Sequence, residues 1–466
     1  MLRCNRVDIA WFSWPNCLLK IPHSWRASPV EPGICANRRD VPARYTARMD
    51  AKSEVLIAGG GVIGLSTALA LLEAGRQVRI IDAGRIGGGA SHGNCGTLTP
   101  SHAPPLAAPG TVAKALRWMW TPDAPLYVHP RMDLRLWQWL LRFGLRCNAR
   151  DWRRSAFAKY ALLQDSRQRV QDWVGQHGLA CEFFESGEDY VFRSQQMFDE
   201  EQHEIPLLRE LGIDIEMIDG GRYERQEPAV KPGVVAAMRF TGDAMFRPDA
   251  YVRALAGVVR ARGGEITEQC ALTGVEEDGA GCFAHTTQGA VRCDEFVLAA
   301  GAWSPRLAGA VGARWLRGII QPGKGYSITY DAPLLVPKRP LILRDRSVCV
   351  TAWGSGYRLG STMEFSGYDD RLNERRLAAL ERGAAEFLHH PVGPVVRERW
   401  FGWRPMSLDD VPLIGRIPGR AHGWLATGHG MMGMGMSAGT GQMLADLMTG
   451  RAPAIDPAPF DPGRFE

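Results

Sequence analysis

Ser53–Asp82, SEVLIAGGGVIGLSTALALLEAGRQVRIID, decides how the rest of the chain is read. Glu54–Ala58 is a short apolar run suited to a buried parallel strand. Gly59-x-Gly61-x-x-Gly64 then opens a helix with Leu65, Ala68, Leu69 and Leu72 on one face, and Gly75 stands where a C′ residue belongs. A second strand, Val78–Ile81, ends in an acid, Asp82, at the expected spacing. Each residue type has a chemical reason. Gly59 permits a tight turn, Gly61 lets backbone approach a pyrophosphate, and Gly64 lets helix and strand pack closely. The helix start at Val62 and Ile63 offers free N–H groups and a positive dipole end to phosphates. Asp82, followed by Ala83, can accept hydrogen bonds from a ribose. The pattern specifies a dinucleotide site and leaves NAD and FAD both open.

At 466 residues and 45% hydrophobic content, the chain is long enough for two or three domains with sizeable cores. Its net charge of +5 is concentrated before Met49, where Lys and Arg outnumber acids. The basicity therefore belongs to a tail and argues no nucleic-acid partner. Within that tail the apolar run Val7–Ile21 is broken by Asp8, Pro15, Asn16 and Lys20, which suits neither a secretory core nor a membrane span. Residues 1–48 are expected to be a disordered extension. The 10 cysteines show no CxxC spacing, which implies reduced thiols in the cytoplasm and no metal site.

Past Asp82, the loop from Ala83 to Gly96 is glycine-dense, with Ser91 and Asn94 among the glycines, so it can pass close to a flat ligand and offer it N–H groups. Residues 104–180 are helix-rich and carry Trp118, Trp120, Trp137, Trp139, Trp152 and Trp173. In Leu134–Arg146, the residues Leu134, Trp137, Leu141 and Leu145 recur at helical spacing while Arg135, Gln138, Arg142 and Arg146 line another face. A helix at a membrane surface shows that pattern, and so does a helix covering a sheet, which is the favoured reading. Phe246–Arg262 reads as a helix with Pro248 at N1. Strand candidates follow at Cys270–Val275, Cys282–Thr286, Val291–Cys293 and Glu295–Ala299, the last running into Ala300-Gly301-Ala302-Trp303. A return of this kind to a parallel sheet suits a two-dinucleotide FAD fold and tips the cofactor toward FAD.

Ile319–Tyr330, Val348–Ala352, Tyr357–Met363 and Val395–Trp400 are further strands, with a charged helix over Asp369–His389; an antiparallel sheet with covering helices is the expected product. Near the C-terminus, Gly428-His429-Gly430-Met431-Met432-Gly433-Met434-Gly435 precedes a helix from about Ser437 to Met448. Glycines before a helix again present N–H groups and a positive dipole end, here suited to the negative charge of a reduced flavin. Met431, Met432, Met434 and Met436 suit an adaptable apolar pocket.

The glycine fingerprint, Ala90-Ser91 with Asn94-Cys95-Gly96, AAGAW, Lys324-Gly325-Tyr326-Ser327, Gly360-Ser361-Thr362-Met363-Glu364, WRP and GHGMMG occur in that order. Together they resemble the D-amino-acid dehydrogenase branch of the FAD-dependent glycine/D-amino-acid oxidase (DAO) family. The resemblance implies an α/β fold: a discontinuous FAD-binding Rossmann-like domain of residues 49–100, 244–312 and 408–458, and an antiparallel-sheet substrate domain of residues 101–243 and 313–407. It implies oxidation of a carbon–nitrogen bond with flavin as hydride acceptor. Asp82 falls at the adenosine ribose, Ser91, Asn94 and Gly96 at the pyrophosphate and flavin, and Gly430–Gly435 beside the flavin ring. Arg404 falls where relatives hold the substrate carboxylate, and a guanidinium fork is the group for that task. Tyr326 is a candidate pocket hydrogen-bond donor and His429 a candidate for orienting backbone near the flavin.

Three departures sharpen the expectation. Gly402–Ser407 has no cysteine, so FAD is expected to be held non-covalently; Met431 stands where glycine oxidases often have arginine; and Arg358 stands where some oxidases place a lysine. These favour a dehydrogenase that passes electrons to a quinone or a protein. The expected substrate is a D-amino acid, with D-proline or hydroxy-D-proline favoured over D-alanine. The alternatives are a sarcosine- or glycine-type oxidase, and a flavoprotein subunit that anchors an electron-transfer partner. Peripheral contact with the inner face of a membrane remains an open expectation.

Overall fold

The computed structural model describes residues 53–113, 126–129 and 132–465. The expected N-terminal extension, Trp118 and Trp120 lie outside those residues.

The fingerprint strand Ser53–Ala58 forms the middle of a parallel sheet. Val78–Ile81 and then Glu265–Thr267 lie on one side of it, Gly289–Leu298 and then Gly423–Thr427 on the other, all parallel. Leu413–Arg416 pairs antiparallel with Gly423–Thr427. Val55, Leu56, Ile57, Ile80, Val297, Leu298 and Leu425 are buried, as strands covered on both faces require. Two of the expected strands are one. Gly289–Leu298 runs unbroken through Val291–Cys293 and Glu295–Leu298, pairing antiparallel with Cys282–Thr286 in its first half and parallel with the fingerprint strand in its second.

The fingerprint helix, Val62–Glu73, is buried around most of its circumference, where a single apolar face was expected. It sits between the C-terminal helix Ser437–Met448 and the Pro248–Ala261 helix, which explains an apolar run with little polar face. Gly75, at φ +83°, ends it as read from the sequence.

The second sheet has nine strands and is mixed rather than wholly antiparallel. Its order is Val396–Met406, Gln321–Tyr330, Gly356–Phe365, Val348–Trp353, Leu341–Leu343, Glu188–Phe192, Ala236–Phe240, Ile215–Asp219, with Leu126–Val128 also beside Gly356–Phe365. Leu341–Leu343 with Glu188–Phe192, and Leu126–Val128 with Gly356–Phe365, are its parallel pairs. The final strand continues past Trp400 to Met406, so Arg404 and Pro405 stand on a strand instead of following one. The covering helix is Glu374–Phe387 and begins later than expected, because the Asp369 carboxylate accepts the Arg371 N–H in a local turn.

Leu134–Arg146 is a helix with the expected bounds, but its apolar stripe faces outward. Leu136, Trp139 and Phe143 are its buried side, whereas Leu134, Leu141 and Leu145 are about 70% exposed and Trp137 is 45% exposed. Covering a sheet therefore accounts for one side of this helix and not for the other.

Candidate active site

The C-terminal ends of Ser53–Ala58, Gly289–Leu298 and Gly423–Thr427 meet at one edge of the parallel sheet, as parallel pairing requires. The helices that follow the first and last of these strands start at that edge, where an open parallel sheet binds ligands. A cavity of about 1500 Å³ opens there and runs across to the second sheet. That exceeds the ~300–1,000 Å³ of an ordinary small-molecule pocket and suits a dinucleotide together with a substrate. Its lining unites Gly59, Gly61, Val62, Ile63, Asp82, Ala83, Ser91 and Asn94 with Ala300, Gly301 and Trp303. Gly430, Met431, Met432, Gly433 and Met434 line it too, as do Tyr326, Arg404 and His429.

Two residues expected at the ligand do not line the cavity. A Cβ at Gly64 would stand 1.9 Å from the Gly59 carbonyl oxygen, so Gly64 serves the close helix–strand contact. Gly96, at φ +78°, is pressed against the Phe246 carbonyl, 2.0 Å from where its Cβ would stand. Met436 is likewise a core residue and does not reach the cavity.

The fingerprint turn is held by its own neighbours. Gly59 adopts φ +120°, and the Asp82 carboxylate accepts the N–H groups of Gly60 and Gly84, each at 2.7 Å. The Ser91 Oγ accepts the Val62 N–H at 3.1 Å, which ties the glycine loop to the helix start and leaves the hydroxyl hydrogen for a ligand. The Asn94 Oδ1 accepts the Gly96 N–H at 2.7 Å in a local turn. Arg358 does not line the cavity; it is buried beneath this loop and donates to the Asn94 and His92 carbonyls and to Thr329 Oγ1. A cation at the cavity wall is instead Lys159, whose ammonium meets the Asp410 carboxylate at 2.6 Å.

Arg404 reaches the cavity by lying across a glycine. A Cβ at Gly325 would stand 2.3 Å from the Arg404 Cζ, so the strand Gln321–Tyr330 needs glycine there. The Arg404 Nη1 donates to the Thr362 carbonyl at 2.6 Å. That carbonyl is aimed by an irregularity in the strand Gly356–Phe365, where Ser361 and Thr362 adopt φ 122° and 59°. Such conformations persist only where the surroundings enforce them. Asp409 is occupied by Arg464 and Asp410 by Lys159, so neither is the partner of Arg404. Among the described residues Arg404 has no carboxylate partner at all. Burial disfavours its charge, and the nearby Cys95 and Cys349 thiols offset this only in part. Tyr326, on the same sheet, donates to Glu364 Oε2 at 3.1 Å.

The Gly428–Gly435 loop is stitched to the Arg404 strand. The Gly430 N–H donates to the Pro405 carbonyl at 2.9 Å, and His429 bridges to Met406. Gly430 leaves room for Asp410, whose Oδ1 lies 2.6 Å from where a Cβ would stand. The His429 Nε2 shares a hydrogen bond with Thr440 Oγ1 at 3.0 Å, and burial lowers its pKa to about 3. The ring stays neutral at physiological pH. It positions backbone and is poorly suited to carrying a proton.

Sequence reading missed an acid–histidine cluster at the same cavity. His102 Nε2 meets the fully buried Glu188 Oε2 at 2.7 Å, and Ser101 Oγ donates to the buried Asp243 at 2.5 Å. Burial opposes the charge on His102, but Glu188 and Asp243 together outweigh it and raise its pKa. Burial, then the Glu188 charge, pushes Asp243 up to about 8. The partners stand 86 and 142 positions apart, and no local pattern announces them. Cys95 and Cys349 also meet at the cavity wall as free thiols joined by a hydrogen bond.

Residues 54–447 match the DAO family, described as FAD dependent oxidoreductase. The chain belongs to that family. It is an FAD-dependent oxidoreductase. The D-amino acid dehydrogenases of Granulibacter bethesdensis and Methylobacterium nodulans are each 32% identical to it over 420 residues. The two alignments cover 88% and 86% of this chain, and 99% and 96% of the relatives. In fold it is similar to glycine oxidase from Geobacillus kaustophilus, with TM-score 0.67, 22% identity, and 88% and 98% of the two chains covered. L-proline dehydrogenase from P. horikoshii aligns with TM-score 0.65, 18% identity, and 89% and 98% coverage. The cavity fits the cofactor: at Gly61 an added Cβ would meet only Ser91 Oγ, at 3.4 Å, so the backbone lies open to a pyrophosphate.

Proposed function

We propose that this chain oxidises the Cα–N bond of a D-amino acid, favouring a cyclic imino acid such as D-proline or hydroxy-D-proline, and passes the electrons to an acceptor other than oxygen. The observation that carries the reading is Arg404, a partly buried guanidinium at the cavity wall with no carboxylate partner among the described residues. A planar carboxylate supplies what it lacks, and two-point binding fixes the substrate's Cα. The names of the relatives favour the D-configuration, and the apolar wall of Met431, Met432 and Met434 suits a compact ring.

In this reading Gly59, Gly61, Val62, Ile63 and Ser91 hold the pyrophosphate, and Asp82 with Ala83 faces the adenosine ribose. Asn94, Ala300, Gly301, Trp303 and the Gly430–Met434 loop enclose the flavin, while Gly64 and Gly96 support the turns from behind. The chemistry FAD supplies is acceptance of the hydride from the substrate's Cα. The chain's part is orientation: Arg404 takes the carboxylate, the Thr362 carbonyl steadies Arg404, Tyr326 closes the sheet side, and His429 fixes the loop. Arg404→Ala tests it. The variant should keep its flavin spectrum and lose most of its affinity for D-proline; unchanged steady-state constants would remove Arg404 from the site.

The acceptor we propose is a membrane quinone, approached through the outward face of Leu134–Arg146. Leu134, Leu141 and Leu145 stand exposed there beside Arg135 and Arg142, and the helix carries no acid, which complements an anionic lipid surface. No helix among the described residues is long and apolar enough to cross a membrane. Sedimentation with vesicles of anionic phospholipid tests this. Leu141→Glu should abolish binding without changing turnover with a soluble dye; binding unaffected by the substitution would exclude this face.

A further inference from the structure

We propose that His102, backed by Glu188, is a hydrogen-bond donor for the far end of the substrate, the part opposite the carboxylate, and selects a ring bearing a hydroxyl group. The proposal rests on the reading of Arg404 as the carboxylate site and deepens it.

His102 and Arg404 line one cavity, and Cys95 on the same wall feels both the Arg404 charge and that of Glu188, the partner of His102. The His102 Nε2 is committed to Glu188 at 2.7 Å, and its other ring nitrogen has no partner among the described residues. Glu188 has no exposed surface, and neither of its oxygens has a well-directed hydrogen bond. A buried carboxylate so placed depends on the imidazolium for compensation, which keeps the ring protonated and makes its open nitrogen a donor. The ring is also held in place. Tyr190 packs on it with ring centroids 5.5 Å apart; Phe240 meets Tyr190 edge-on, and the Arg344 guanidinium covers it at 4.9 Å. Arg344 is in turn paired with Glu201. A fixed donor within a largely apolar cavity discriminates by leaving itself unpaired when the substrate lacks an acceptor. Asp243, held by Ser101 behind it, adds no competing acceptor at the cavity wall.

The test compares cis-4-hydroxy-D-proline with D-proline on the full-length holoenzyme and a soluble dye acceptor. The wild type should favour the hydroxylated ring in kcat/KM by roughly tenfold or more, the scale of one hydrogen bond to a charged group. His102→Leu should collapse that ratio toward one, chiefly through KM for the hydroxylated ring. Glu188→Gln, which keeps shape and removes the charge, should lower the ratio in the same direction. A wild-type ratio near one, or variants that slow both rings by the same factor, would overturn the proposal and leave the Arg404 reading standing. An enzyme that oxidises D-alanine and neither ring would remove the cyclic-substrate reading and this proposal with it.

Discussion

Gly441 and Ser66 touch backbone to backbone: a Cβ added at Gly441 would stand 2.5 Å from the Ser66 carbonyl carbon. This contact joins the second turn of the C-terminal helix to the first turns of the fingerprint helix. It brings two glycine-rich helix starts, far apart in sequence, to one edge of the parallel sheet. Their dipoles and free N–H groups then act on one cavity.

Gly441→Val should therefore push the two helix starts apart. Overpacking of this kind costs about 1–3 kcal/mol. The purified variant is expected to retain less FAD than wild type and to melt at lower temperature, with added FAD restoring part of the loss. Calorimetry and flavin absorbance per chain measure both effects. Full FAD content at unchanged melting temperature would deny the contact its role.

The same logic applies at Gly325, beneath Arg404. Gly325→Ala places a methyl where the guanidinium lies and should displace it without removing its charge. KM for the amino acid is expected to rise about 10–100-fold, the scale of a lost charge-assisted hydrogen bond, with the flavin spectrum preserved. Steady-state kinetics beside those of Arg404→Ala give the comparison. If Gly325→Ala leaves the enzyme as active as wild type, the position of Arg404 is not what matters.

These two glycines also show which parts of the molecule were legible in sequence. The fingerprint, Gly75 and the Ser437–Met448 helix could be read because each obeys a local rule of spacing or turn chemistry, whereas Arg404 was singled out only through the family resemblance. The bend at Ser361–Thr362 could not, because non-glycine residues hold positive φ there only under tertiary constraint. Gly289–Leu298 was split in two by its polar Asp294 and the change of partner along its length. The outward face of Leu134–Arg146 was misread because both sides of that helix are apolar, and periodicity does not say which is buried. His102 with Glu188, and Lys159 with Asp410, exist only through contacts between distant segments.

The Asp243 cluster predicts a pH dependence of stability. Its pKa rises from an ordinary 3.8 to about 8 in the folded chain, so the folded state binds that proton more tightly than the unfolded one. The contribution is fully present below about pH 4 and is lost as pH rises toward 8. Asp243→Asn, which keeps the Ser101 partner and cannot ionise, should lose less stability than wild type between pH 5 and 8. Denaturant melts across that range check it; parallel pH profiles for the two proteins would contradict the assignment.

On the proposed reading, both glycine turns and Arg404 serve one flavin and one amino acid. Anaerobic mixing of the purified holoenzyme with D-proline, hydroxy-D-proline, D-alanine and their L-forms tests it most directly. The expected result is a yellow protein whose oxidised-flavin absorbance is lost with the D-forms, fastest with the cyclic ones, and stays with the L-forms. A protein that purifies colourless and takes up no FAD, or whose flavin is untouched by every D-amino acid offered, would contradict it.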